Sequence, residues 1–286
     1  MKIVNTIDWT DAQSRAAGIT VRRMDFEFGG GIAKFWFDHN PFLTALLDAM
    51  SVGFPPGERF FIDSVRHYEP EIADPVLKER IRGFIGQEAN HTKEHLVFNQ
   101  FLEANGFPAD RMTEIATKGI QGLQKISSPA RNLARTAALE HFTAILAGAL
   151  IEHPEVFERM EPTLAQLWAW HAIEEIEHRS VAFDVYKIAV NREFLRLRAM
   201  VFTTLLFVVV VTIRTSMLLS KSGNLFNVKA WLSGMNLLWG RPGVFRKLIP
   251  SYLAYYRKSF HPDQHDNRAA LEQARQRWLP EGEPQS

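Results

Sequence analysis

The chain has no cysteine. Disulfides, thiolate catalysis, zinc ribbons and iron–sulfur clusters are thereby excluded, and any metal has to be held by His, Asp and Glu. Net charge is nearly absent as well, +1 over 286 residues, so there is no overall basic field to draw nucleic acid, and none is expected as a partner. The N-terminus lacks a continuous apolar stretch and carries Asp8 early, which predicts no signal peptide and a cytoplasmic location. Gly29-Gly30-Gly31 precedes no phosphate-loop pattern and reads as a turn, and no serine or cysteine triad offers a nucleophile.

What is present is ordinary in bulk, 46% hydrophobic and 23% charged, and unusual in one pattern. Glu-x-x-His occurs twice, at Glu88–His91 and Glu175–His178, and each copy follows a helical stretch carrying a single candidate carboxylate, Glu58 or Glu140. Residues i and i+3 share a helix face, so one such motif gives a carboxylate and an imidazole to one ion. The order Glu, ExxH, Glu, ExxH is the set with which a four-helix bundle holds two metal ions. The fold expected is therefore all-α, a ferritin-like four-helix bundle with a dinuclear metal core. Its expected ligands are Glu58, Glu88, His91, Glu140, Glu175 and His178, with His171, four residues before Glu175, as a third histidine. Gln87, Glu174 and Asp184 are expected around them, as partners that orient the ligand histidines, and His95, four beyond His91 on the same face, is expected beside them or as a further histidine on the other ion. Four carboxylates against two divalent cations make a neutral buried cluster, and without cations the same cluster is a costly group of like charges.

Breaks along the chain predict helices over about Gly57–Tyr68, Pro75–Ala104, Pro129–Ile151 and from Pro162 past Tyr186, with a looser segment over 109–128. Glu140 lies about 12 residues before its break and Glu175 about 12 after the next start, roughly 18 Å each way, so the two meet at one height in an antiparallel hairpin. Glu58 and Glu88 match within about a turn. Val21–Phe28 alternates like a strand. Residues 1–50 then form an N-terminal extension, 51–195 the metal-binding bundle, and 196–286 an apolar helix and an aromatic, basic tail packed on it. The last residues, Pro280–Pro284, are expected to be disordered. Two readings stay open for 199–219, whose uncharged part ends at Arg214: a helix buried against the bundle or in a homodimer interface, or a contact with a membrane surface that would place the protein at its inner face.

The stretches Phe54–Phe61, Gln87–His95 and Glu174–Tyr186, with Phe260-His261-Pro262, resemble the bacterial "predicted metal-dependent hydrolase" family over roughly 40–265. That resemblance implies a ferritin-like fold and a metal-dependent reaction. The chain departs from the family pattern near Tyr256–Ser259, where Pro-Gly is usual. His171-x-x-x-Glu175-x-x-His178 is also similar to the third-histidine element of di-iron arylamine N-oxygenases. The reading taken from ligand type is a di-iron enzyme oxidising a small hydrophobic substrate with O2, with an electron donor as partner; iron comes first and manganese or zinc are alternatives. The other reading is a hydrolase using a metal-bridged hydroxide, and a third is metal storage or scaffolding.

Overall fold

The computed structural model describes residues 19–279. The expectations about Asp8 and about residues 280–284 lie outside that range. Helices account for nearly all regular structure, and no strand occurs among the described residues beyond one isolated bridge, Phe37 to Met160.

Proline and side-chain caps set where the principal helices begin. Helix α1 (Pro41–Ser51) is capped by the Asn40 side chain, which accepts from the amides of Phe42 and Leu43. Helix α2 (Phe54–Tyr68) starts on Pro55-Pro56, α3 (Pro75–Ala104) on Asp74-Pro75, and α5 (Pro129–Ile151) on Ser128-Pro129. Proline is tolerated there because first-turn amides have no intrahelical partner. Helix α7 (Pro162–His178) follows the single turn α6 (Pro154–Phe157), and Glu161 caps it by accepting from Leu164. Helices α3 and α5 have the bounds that the sequence predicts. Helix α2 starts three residues earlier, because prolines that look like a stop are its first turn.

Two expectations are corrected here. Residues 109–128 are not loose: Ala109–Lys125 is a regular helix, α4, which buries Met112 and Ala116. The fourth helix does not run unbroken past Tyr186; it stops at His178 and resumes after Arg179-Ser180 as α8 (Val181–Ala189). The sequence has no proline or glycine to announce that break.

The hairpins α2–α3 and α5–α7 pack into the expected four-helix arrangement, with α8 extending the fourth rod. Leu77, Ile81 and Phe84 of α3 are fully buried against Val181, Val185 and Tyr186 of α8. Each such side chain contributes about 1.5–3 kcal/mol. Helix α9 (Glu193–Lys221) lies along α5 and α1, and α10 (Val228–Met235), α11 (Val244–Ala254) and α12 (Arg268–Trp278) close the far side.

Val21–Phe28 pairs with no strand, and Asp25 at its middle has a φ of 50°. Its alternation has another use: Phe26 is buried and Arg22, Met24 and Phe28 are half-buried, while Val21, Arg23, Asp25 and Glu27 face solvent. The segment forms a strap across α3. A Cβ on Gly83 would stand 2.6 Å from Ile19, and one on Gly86 would stand 2.6 Å from Val21. These two glycines are the notch in which the strap lies. Its amides at Asp25 and Phe26 donate to the Glu94 carboxylate.

Candidate metal centre

Helix geometry gathers the predicted residues at one height. Glu88 and His91 come from α3, Glu175 and His178 from α7, and donor atoms of all four lie within 4.8 Å of one another. A second group, Glu58 of α2, His95 of α3 and His171 of α7, satisfies the same distance. All seven side chains are buried. Glu175 joins the two groups: its Oε1 lies 3.1 Å from His171 Nε2, 3.7 Å from His91 Nδ1 and 3.9 Å from His178 Nε2.

The arrangement narrows the expectation at His95 and differs from it at three other positions. His95 does not orient a ligand from outside: its Nε2 lies 2.8 Å from His171 Nδ1, inside the second group, and its Nδ1 meets Ser51 Oγ at 2.9 Å. Glu140 stands outside both groups and accepts from His178 Nδ1 at 3.0 Å. Asp184 serves no ligand histidine; it sits beyond the break, paired with His261 at 2.8 Å and Arg80 at 3.6 Å. Gln87 donates to Glu177 and to the Thr20 carbonyl, and its own Oε1 is unpartnered. Glu174 lies 3.1 Å from His91 Nε2.

The sequence reading missed the supports. Thr92 donates to Glu58 Oε2 at 2.8 Å, and Thr143 donates to Glu175 Oε2. Arg22 of the strap reaches Glu174 at 3.1 Å and Glu177 at 2.8 Å. Each Thr stands on the inner face of its helix, a turn or less from a ligand, and that was the available signal. Arg22 carried none, because its partners lie more than 150 residues downstream.

Electrostatics show what the cluster requires. Burial pushes Glu58 and Glu88 well above the usual carboxylate range, and the other glutamates raise them further. Burial raises Glu140 to about 7 against the pull of His178, and Glu174 to about 8 despite Arg22. Burial works to lower His178, but the charge and hydrogen bond of Glu140 carry it up to about 9. His91 and His95 fall well below the ordinary histidine range, chiefly through burial. Glu175 is the exception: hydrogen bonds from His171 and Thr143 and the charge of His178 overcome burial and hold it low.

Several buried atoms also lack any hydrogen bond: both oxygens of Glu88, Oε1 of Glu58 and of Glu140, Nδ1 of His91 and Nε2 of His178. His178 Nε2 lies 3.3 Å from Glu88 Oε1 without the geometry of a hydrogen bond. Buried polar atoms are rarely left unpaired in folded proteins. Here they converge on one volume, and a shared cation is the partner that satisfies carboxylate oxygens and imidazole nitrogens together.

A cavity of about 600 Å³ reaches this cluster from the side of α9. Its walls are apolar side chains of α2, α4, α5 and α9, and Glu58, Thr143 and Glu175 form a polar patch in the lining.

Fold and donor set define a helical metal-binding bundle with a buried His/Glu centre. The chain belongs to the family described as predicted metal-dependent hydrolases, whose model matches residues 20–266. Comparison with curated proteins and with solved structures gives no match.

Proposed function

We propose that this protein is a dinuclear metal enzyme acting on an elongated apolar substrate. The observation that carries this reading is the apolar cavity with Glu58 and Glu175 in its lining. Glu88, His91, Glu175 and His178 would hold one divalent cation, and Glu58, His95 and His171 a second, with Glu175 facing both. Bound cations would supply Lewis acidity, and iron or manganese would add redox capacity. The chain's own residues do the positioning. Thr143 fixes Glu175, Thr92 fixes Glu58, and Glu174 and Glu140 set the rings of His91 and His178. The walls exclude bulk water from the reacting group.

The family description supports hydrolysis of an ester or acyl bond. A second reading is oxidation with O2: three carboxylates and four imidazoles form a mixed set that also suits iron or manganese. One experiment separates them. Protein loaded with Zn, Mn or Fe is incubated with a fatty acyl ester under argon and in air, and the products are analysed by mass spectrometry. Metal-dependent release of the acid under argon supports hydrolysis. Turnover that requires iron, reductant and O2 supports oxidation. No metal-dependent product in any arm sinks both.

The same substrate class gives a role to the outer face of α9. This helix is long and apolar enough to cross a membrane by length and composition, and only 22% of its most apolar stretch is buried. Neither burial in the bundle nor solvent suits Leu205, Val208 and Val209, each more than half exposed. Phe202, Leu206, Ile213 and Met217 are exposed and also line the cavity, so its mouth opens on this face. Exposed Arg198, Lys221 and Lys229 flank it, as suits an anionic lipid surface. The protein is expected to co-sediment with phosphatidylglycerol-containing vesicles, and Leu205→Glu with Val209→Glu to reduce binding at least tenfold. Unchanged sedimentation, or a dimer in solution that buries this face, would contradict the membrane contact.

A further inference from the structure

Arg214 stands in the lining of the same cavity, on the apolar helix α9. Its guanidinium packs against the backbone of Gly53 so closely that a Cβ there would lie 2.5 Å from a terminal nitrogen. Among the described residues it has no hydrogen-bond acceptor, no carboxylate partner and no aromatic ring beneath it. Burial lowers its pKa and no neighbouring charge opposes the shift. The other arginine of the lining, Arg135, is accounted for: it donates to Ser127 at 2.7 Å and Asn132 at 3.3 Å and lies 5.0 Å over the ring of Phe202.

The two arginines mark opposite ends of the cavity. Phe202 and Arg214 are separated by about 18 Å along α9, the reach of a medium-length alkyl chain. Glu58 is about 8 Å from Gly53 along α2, so the metal-facing part of the wall lies between the two ends. A guanidinium presents a planar fork of donors that matches carboxylate or phosphate oxygens. Arg214 is half-buried and only solvent meets its fork, so an anion entering the apolar cavity would replace that water with a charge-assisted pair.

We infer that the cavity binds an amphiphile with an anionic head group, the head paired with Arg214 and the chain laid past Glu58 and Glu175 toward Arg135. The inference rests on the proposed action on an apolar substrate and narrows it: the substrate carries a carboxylate or phosphate at one end, and the reacting bond lies along the chain, a few bonds from the head. Met50 and Gly53 at the junction of α1 and α2 close the wall beside the head.

Calorimetric titration of the full chain with dodecanoate, dodecyl phosphate and dodecanol tests this. Wild type is expected to bind at least one of the two anions about ten- to a hundredfold more tightly than dodecanol, the range of a charge-assisted hydrogen-bonded pair. Arg214→Gln should lose that advantage and keep the affinity for dodecanol, and Arg214→Lys should retain part of it. The tighter of the two anions identifies the head group as carboxylate or phosphate. Equal binding of the anions and dodecanol by wild type would overturn the inference, as would an Arg214→Gln variant that keeps its preference for anions. So would loss of dodecanol binding in Arg214→Gln together with Arg214→Lys, because the residue would then only shape the wall. Metal content, measured on the same samples, separates this outcome from failure of the metal-enzyme reading: the inference can fail with the centre fully loaded.

Discussion

Replacing Glu88 by Gln is expected to give a protein that is more stable than wild type without metal and that no longer gains stability when metal is added. Both carboxylate oxygens of Glu88 are buried without a hydrogen bond, and burial together with Glu140, Glu175 and Glu58 opposes its charge. The isosteric amide is neutral without taking up a proton, so it removes the cost of holding a buried carboxyl protonated near pH 7, about 1–3 kcal/mol. The same change removes a donor from the group with His91, Glu175 and His178. Wild type should gain about 2.7 kcal/mol from each ion present at a hundred times its dissociation constant, or roughly 2–4 °C of melting temperature per kcal/mol in a chain of this size. Differential scanning calorimetry with chelator and with added Zn, Mn or Fe measures both effects, and metal analysis gives the stoichiometry. A Glu88→Gln protein that keeps the full complement of metal, or that is destabilised when metal-free, would remove Glu88 from the centre.

The second large effect is on pH dependence. Glu140 and Glu174 have native values near 7 and 8, and His178 near 9, all above their unfolded values. Each native group holds a proton that the unfolded chain has already released. Its stabilising contribution is fully present below the unfolded pKa and is lost as pH rises through the native one. His91 and His95 are shifted the other way, well below 6.5, so their contribution is present above that pH and lost on acidification. Above pH 7 the first set still changes, together with Glu58 and Glu88, which burial also raises, and Asp48, which burial raises to about 8. The metal-free protein should therefore lose stability from pH 7 to 9, on the order of 1–3 kcal/mol. Metal binding needs deprotonated donors, so the loaded protein should lose less stability over the same interval and the gap between the two should widen. Parallel melting curves for chelated and loaded protein from pH 6.5 to 9 would show that these groups do not meet the ions.

Much of this centre was legible in the sequence because helix geometry is periodic. Glu88, His91 and His95 recur at three and four residues, as do His171, Glu175 and His178, so each set necessarily shares a face. The bounds of α3 and α5 followed from proline at one end and a break at the other. Contact between histidines on different helices was not legible. His95 could be read as a support or as a histidine on the other ion, and its height relative to His171 depends on how α3 and α7 slide past each other, which no local residue encodes. Glu140 was placed among the ligands by its height, and the height is right. A side chain at that height can reach both the shared volume and the ring of His178: Oε2 of Glu140 meets the ring, and its unpartnered Oε1 is among the atoms that converge on the centre. Asp184 was misjudged for another reason. Six residues of continuous helix would already turn it about 120° from the face of His178, and in the structure it stands beyond the break at Arg179-Ser180, against His261 and Arg80. The alternation of Val21–Phe28 was real, one face inward and one outward, and it was taken for a strand because period two has the same signature whether the neighbour is a sheet or a helix.

The strap has a bearing on how such a protein comes to be filled. It is synthesised before every helix of the bundle, yet its anchor, Arg22, cannot be seated until residues 174–177 have left the ribosome. Its contacts with α3, the notch at Gly83 and Gly86 and the Glu94 carboxylate, can form earlier, so the strap waits on the helix it crosses for its seat and on α7 for its lock. The polypeptide closes one side of its interior with a segment made ahead of the helices it covers.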